Sequence, residues 1–211
     1  MAKIEPFEHH WKEYEQWFVQ NRWTYFSELE ALKSLLPAKG KGLEIGVGSG
    51  LFAQPLGIKI GLEPSPKMAQ LARRRGIEVV EGIAENLPFE NETFDFALMV
   101  TTICFLDDVE KAFNEVKRIL RPEGHFLVGF VDKESSIGQQ YEKFKEQNVF
   151  YRLATFYSVP DVLRFLHKAE FSDFVFRQTI FKPLDEIKEL EPVKEGYGQG
   201  SFVVIRAKVQ K

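Results

Sequence analysis

The residues best placed to do chemistry lie in one stretch, Gly42-Leu43-Glu44-Ile45-Gly46-Val47-Gly48-Ser49-Gly50. An apolar run from Leu43 to Val47 leads into glycines at alternate positions. Glycine lacks a Cβ, so it can turn with positive φ and let a bound molecule lie against the backbone. Between a buried strand and a helix, such a loop makes a nucleotide cleft at the end of a parallel sheet. The same pattern also serves as a tight turn with no ligand, so residues further along must decide. A second apolar run, Ile58 to Leu62, ends at Glu63. A carboxylate there can accept both hydroxyls of a ribose in a bidentate fit. The competing role, capping the next helix, falls more naturally to Ser65-Pro66, which leaves Glu63 free.

These residues need a sheet to hold them. The apolar runs Leu43 to Val47, Ile58 to Leu62, Ile77 to Val80, Phe94 to Val100 and His125 to Val131 read as strands. Phe94 to Val100 is almost continuously apolar, as expected when helices cover both faces. A short helix or turn interrupted by Pro55 follows the glycines. A longer helix follows Ser65, with Met68, Leu71 and Ala72 inward, and another runs from Asp107 or Asp108 to Leu120. Arg73-Arg74-Arg75-Gly76 places favourable charge at a helix C-terminus before its cap. This alternation predicts a parallel, doubly wound sheet. Phe171 to Phe181 and Ser201 to Val209 have no crossover helix between them, so they should pair antiparallel at the edge.

Two segments lie outside this alternation. Residues 8–36 carry Trp11, Tyr14, Trp17 and Phe18, then Leu29, Leu32, Leu35 and Leu36, at helical spacing. They predict a helical hairpin on the sheet, with one or two of its rings, such as Tyr25, roofing the cleft. Residues 137–157, rich in aromatics including Tyr141, form a second candidate lid. One domain is expected: a helical cap (1–40), a binding core (41–131), an insertion (132–157), and a closing helix with a hairpin (158–211).

Composition narrows the function. The 211 residues are 44% hydrophobic and 28% charged, with a formal net charge of −3. Without a basic face, nucleic acid is not expected as a partner. Cys104 is the only cysteine, which excludes an internal disulfide framework and a multi-cysteine zinc site. His9 and His10 are adjacent and cannot share a helix face, so no metal role is assigned. The first ten residues lack an apolar signal core, and no apolar run is long enough for a bilayer. A cytoplasmic location is expected, with no membrane association.

Taken jointly, these motifs resemble the class I methyltransferases that use S-adenosylmethionine (SAM). The resemblance covers residues 42–131 by motif and the closing hairpin by topology. It implies a seven-stranded, mostly parallel sheet of order 3-2-1-4-5-7-6, with strand 7 antiparallel. Glu44, Gly46, Gly48 and Gly50 look like the motif whose backbone meets the methionine part of the cofactor, and Glu63 falls on the ribose-binding acid. Pro64, Ser65 and Met68 fall where the family wraps the ribose and adenine. Ile83 and the stretch Ala84-Glu85-Asn86-Leu87-Pro88-Phe89 are similar to its adenine loop, and Thr101 faces the cofactor from the end of strand four. Many relatives carry an aspartate where Ile83 stands, so the adenine amino group must be met by Glu85, met by backbone carbonyls, or left unmet. Arg121-Pro122-Glu123-Gly124 resembles the family's Lys-Pro-Gly-Gly turn, with Glu123 in place of a glycine.

SAM carries a sulfonium whose methyl transfers by in-line displacement, so the protein's task is to position an acceptor in a partly dry pocket. Glu44 can favour the cofactor's ammonium. No motif names a general base, and the Asn-Pro-Pro-Tyr signature of nucleic-acid amino methylation is absent where Thr101-Thr102-Ile103-Cys104 stands. Tyr25, Cys104 and Tyr141 are the candidates for contact with a small-molecule acceptor. The two other readings are a non-catalytic SAM-binding module and a nicotinamide-dependent dehydrogenase. The dehydrogenase fits worse, because its third glycine would fall on Leu51.

Overall fold

The order of strands across the sheet sets where a ligand can bind. The computed structural model describes residues 3–210. In chain order the strands are β1 (Gly42–Ile45), β2 (Ile60–Glu63), β3 (Glu78–Glu81), β4 (Phe94–Val100), β5 (Leu120–Val131), β6 (Phe171–Thr179), β7 (Lys194–Glu195) and β8 (Phe202–Val209). They form one sheet of order β3-β2-β1-β4-β5-β8-β6-β7. β1 to β5 pair parallel, and β8 runs antiparallel to both β5 and β6. The order reverses between β1 and β4, which opens a crevice at the carboxyl ends of those strands.

The helices are α1 (Glu5–His9), α2 (Trp11–Gln20), α3 (Arg22–Leu35), α4 (Pro66–Arg74), α5 (Val109–Ile119), α6 (Ser136–Phe144) and α7 (Val159–Lys168). Each face of the sheet carries its own core. One is built from α5 and α7 around Phe113, Val116, Phe126, Val162 and Phe171. The other is built from α3 and α4 around Leu32, Leu35, Ala69, Ala72, Leu98 and Phe202. Capping follows the sequence signals. Ser65 accepts the Met68 N–H, Asp108 the Lys111 N–H, and Ser158 with Asp161 makes a reciprocal capping box.

The structure departs from the sequence reading in three places. The expected helical hairpin is three helices, interrupted at His10 (φ −115°, ψ 27°) and Asn21 (φ −105°, ψ 38°). There are eight strands rather than seven. Gln178 draws the long 182–200 connection back onto β6: its amide donates to the Glu195 carbonyl and accepts from Gln199 and Gly200. That places Lys194–Glu195 beside Arg177 and Gln178 as a two-residue edge strand. Finally, β5 begins at Leu120 and bulges through Arg121–Gly124, with Glu123 in the left-handed region (φ 65°) where the family carries glycine. No helix of the described residues is long and apolar enough to cross a membrane.

Phe113 is fully buried and meets Phe126 edge-on at 5.0 Å between ring centres. Phe113→Ala should lower unfolding free energy by about 3–5 kcal/mol through lost burial and the cavity left behind. Urea denaturation measures this.

Candidate functional site: a roofed cavity over the switch point

The glycine loop is shaped by its neighbours. The N–H groups of Gly46 and Val47 both donate to the Leu62 carbonyl, at 2.8 and 3.0 Å, which ties the loop to β2. A Cβ on Gly46 (φ 69°) would lie 2.4 Å from the Thr102 methyl carbon, so glycine lets the β4 loop close against β1. A Cβ on Gly48 (φ 54°) would stand 3.3 Å from the Tyr14 hydroxyl, under the roof of the cavity. Gly50 packs against Ala72 and Ile77, away from the cavity.

Glu63 joins the two strands. Its Oε2 accepts the Gly48 N–H at 2.8 Å and its Oε1 accepts the Ser65 N–H at 2.9 Å. The side chain is therefore already bonded, not free as the helix-capping argument supposed. Each oxygen keeps a further lone pair, and Glu63 still lines the cavity. Burial, against the help of these two N–H donors, pushes its carboxyl up to about 7. Glu44 is 1% exposed and lies below the cavity surface. It accepts the Ala53 N–H, and its Oε2 has no partner among the described residues. Burial drives its carboxyl well above the ordinary range.

On the β2–β3 side, Pro64, Met68, Ile83, Ala84 and Glu85 line the cavity, and Ser65 does not. Ile83 is 39% exposed, an apolar side chain at the rim. Glu85 Oε1 accepts the N–H groups of Asp107 and Asp108 at 2.9 and 3.2 Å, pinning the start of α5. Ser65 donates instead to Glu8, which also accepts the Lys67 N–H at 3.0 Å at the N-terminus of α4. Glu8 thus fastens α1 over the site. Lys67 over the Trp11 ring (4.5 Å) and Arg75 paired with Glu15 fasten α2. Arg75 also donates to the Ser49 carbonyl at 2.8 Å.

The roof is aromatic. Phe7 from α1 and Tyr14, Trp17 and Phe18 from α2 line the cavity, with Phe7–Tyr14 and Tyr14–Phe18 centroids at 5.9 and 5.1 Å. Tyr25 does not line it. Its hydroxyl donates to the Leu51 carbonyl behind the loop, and its ring packs on Phe18 and Phe52. The far wall comes from the ends of β4 and β5 and from the 136–157 segment, which contributes Tyr141, Phe150, Tyr151 and Phe156. Thr101 holds φ 50°, an uncommon conformation for a β-branched residue, and places Thr101 to Cys104 along the floor. The Cys104 thiol donates to the Thr101 carbonyl at 3.2 Å, and burial pushes it up to about 12, so it is not a nucleophile at neutral pH. The cavity volume is about 580 Å³. Lining residues with no sequence signal include Glu28 and Phe130, which tertiary contact alone brings to the cavity.

A roofed cavity at the switch point of a 3-2-1-4-5 sheet, with a glycine loop and an acid one strand over, defines a nucleoside-cofactor enzyme. Comparison with known proteins gives the family. Residues 43–128 match the family described as a methyltransferase domain. A solved structure from Thermotoga maritima, described as a SAM-dependent methyltransferase and "possible histamine N-methyltransferase", is 55% identical with a TM-score of 0.96. The match covers 98% of this chain and all of that one. An uncharacterized protein of Methanocaldococcus jannaschii is 44% identical over 201 residues, 95% of this chain and 97% of that one. A Haemonchus contortus phosphoethanolamine N-methyltransferase bound to SAM shares the fold at 18% identity, with a TM-score of 0.63 over 87% of this chain and 52% of that one. The chain belongs to the class I SAM-dependent methyltransferases, and SAM is its cofactor.

The residues present fit that cofactor. Gly46, Gly48 and Glu63 all line the cavity, and its titratable lining residues include five acids, Glu13, Glu28, Glu63, Glu85 and Asp107, against Lys3. A cationic ligand is favoured by such a wall.

Glu63→Gln should weaken SAM binding about 10- to 100-fold, the scale of about 1.5–3 kcal/mol for charged hydrogen bonds. Isothermal titration checks it. Glu63 at about 7 and Glu28 at about 8 are both raised above their unfolded values. The stability they contribute is complete below pH ~4.5 and lost as pH rises through about 7 and 8. The melting temperature of the ligand-free protein should therefore fall between pH 5 and 8, and less so in Glu63→Gln.

Proposed function

We propose that this enzyme methylates a small-molecule acceptor held beneath its aromatic roof. The observation that carries this reading is the roof over the cavity. α1 and α2 cover it from one side and the 136–157 segment from the other, and the Glu5–Arg152 ion pair (2.9 Å) joins the two rims. About 580 Å³ suits a cofactor with a small partner, whereas a polymer would need an open groove. The acidic lining argues in the same direction, since it repels nucleic acid. The "possible histamine N-methyltransferase" description of the Thermotoga relative agrees with an acceptor of this size. A cytoplasmic location belongs to the same proposal.

Bound SAM supplies an electrophilic methyl group and a thioether leaving group. The chain's own residues do the rest. Glu63, with the Gly46–Gly48 backbone, would hold the nucleoside and methionine portions. Met68, Ile83 and Ala84 would enclose the adenine. Thr101 and Thr102 form the floor between cofactor and acceptor. Phe7, Tyr14 and Trp17 exclude water, which strengthens electrostatic contacts inside.

The test is a turnover screen with methyl-labelled SAM over small amines, phenols, thiols and carboxylic acids, alongside transfer RNA and protein extracts. Label should enter a small molecule. Incorporation into macromolecules alone would overturn the proposal. In parallel, SAM and S-adenosylhomocysteine should raise the melting point, and NAD and NADP should not.

A further inference from the structure

The cavity has acids at both ends. Glu63 stands at the end of β2. Glu28 projects from α3 at the far side, where it shares with Val131, Tyr141 and Leu184 both the main cavity and a small void behind it. From β2 to β5 the sheet passes β1 and β4, a separation of roughly 14 Å at the usual strand spacing. A nucleoside gripped at Glu63 therefore leaves the Glu28 end for the acceptor.

Glu28 is only 6% exposed, and its carboxyl makes no hydrogen bond or ion pair with any described residue. A buried carboxyl without a partner is costly, and nothing in the packing of α3 requires it. It faces a cluster of rings. Tyr141 and Tyr151 stack with centroids 4.6 Å apart, and Phe156 closes on Tyr151 at 5.5 Å. Trp17 completes the wall. An anion ringed by aromatic faces is the environment that suits an organic ammonium ion.

We propose that Glu28 anchors the methyl acceptor and that this acceptor is a small amine, bound as its ammonium ion among Trp17, Tyr141, Tyr151 and Phe156. This rests on the small-molecule reading above. An ammonium nitrogen has no lone pair to offer, so one proton must leave it. That proton passes from nitrogen to the Glu28 carboxylate, which becomes a neutral carboxylic acid, and the lone pair is freed for the N–C bond. After transfer the methylated nitrogen carries the positive charge, and Glu28 returns its proton to water. Burial pushes the Glu28 carboxyl up to about 8, a range suited to accepting a proton near neutral pH. The titratable groups that feel Glu28 are the phenols of Tyr25 on α3, Tyr141 on α6 and Tyr151.

The protein saturated with S-adenosylhomocysteine is titrated calorimetrically at pH 7 with tyramine, histamine and 2-phenylethylamine, and with the neutral alcohols of the same skeletons. At least one amine should bind tenfold or more tightly than its alcohol. Comparing phosphate and Tris buffers should reveal release of close to one proton per amine, as binding ionises Glu28. Glu28→Gln should lose the amine tenfold or more and abolish the proton release, while holding S-adenosylhomocysteine within twofold. The proposal is overturned if no amine binds, if the alcohols bind equally well, or if Glu28→Gln leaves amine binding unchanged. The amine–alcohol comparison needs no variant, so it stands even if Glu28→Gln misfolds. Methylation of phenols or carboxylic acids alone in the turnover screen would keep the small-molecule reading and sink this one.

Discussion

One carboxylate holds the site in shape. Glu63 accepts an N–H from the loop after β1 with one oxygen and an N–H from the entrance to α4 with the other. The two segments that must cooperate on a nucleoside are thereby fixed to each other through a buried, charge-assisted bridge. Gly48 must lack a side chain for Tyr14 to lie over it, and Gly46 must lack one for Thr102 to close beside it. If that bridge moved, the roof, the floor and the wall beside β2 and β3 would each lose their reference point.

The same bridge sets the electrostatics. Glu63, Glu44 and Glu28 are all buried, and burial raises all three carboxyls. Among the described residues, no cationic side chain is paired with them. The ligand-free protein therefore stores an unfavourable concentration of acid that a cationic ligand relieves. Acidity is thus spread along the cavity, with Glu63 and Glu28 marking its two poles.

The periodic part of the structure was legible in the sequence. Alternating apolar runs located β1 to β6 and β8 to within a few residues; Ser65 marked the start of α4, and of Asp107 or Asp108 the latter caps α5. The extra strand β7 was not visible, because it depends on one side chain, Gln178, capturing backbone groups 17 or more residues away. Nor could local pattern separate Tyr14, which faces the cavity, from Tyr25, which faces away. Both sit on aromatic helices, and the difference arises from the break at Asn21 that reorients α3. Glu28 reads as an ordinary helical glutamate until α6 and β5 are packed against it. Thr101 lines the cavity at the end of β4, and its positive φ had no sequence signal.

The cavity is closed by residues at opposite ends of a long stretch of chain. Glu8 reaches the start of α4 across 59 residues, and Glu5 meets Arg152 across 147. Contacts of such separation carry the largest loop-closure entropy and form late. During synthesis α1 and α2 emerge ahead of β1 to β5 and α6, the surfaces they settle on. A chain can therefore acquire its sheet and the core under α5 and α7 before α1 and α2 roof the cavity. The roof of the site is thus its costliest part in chain entropy.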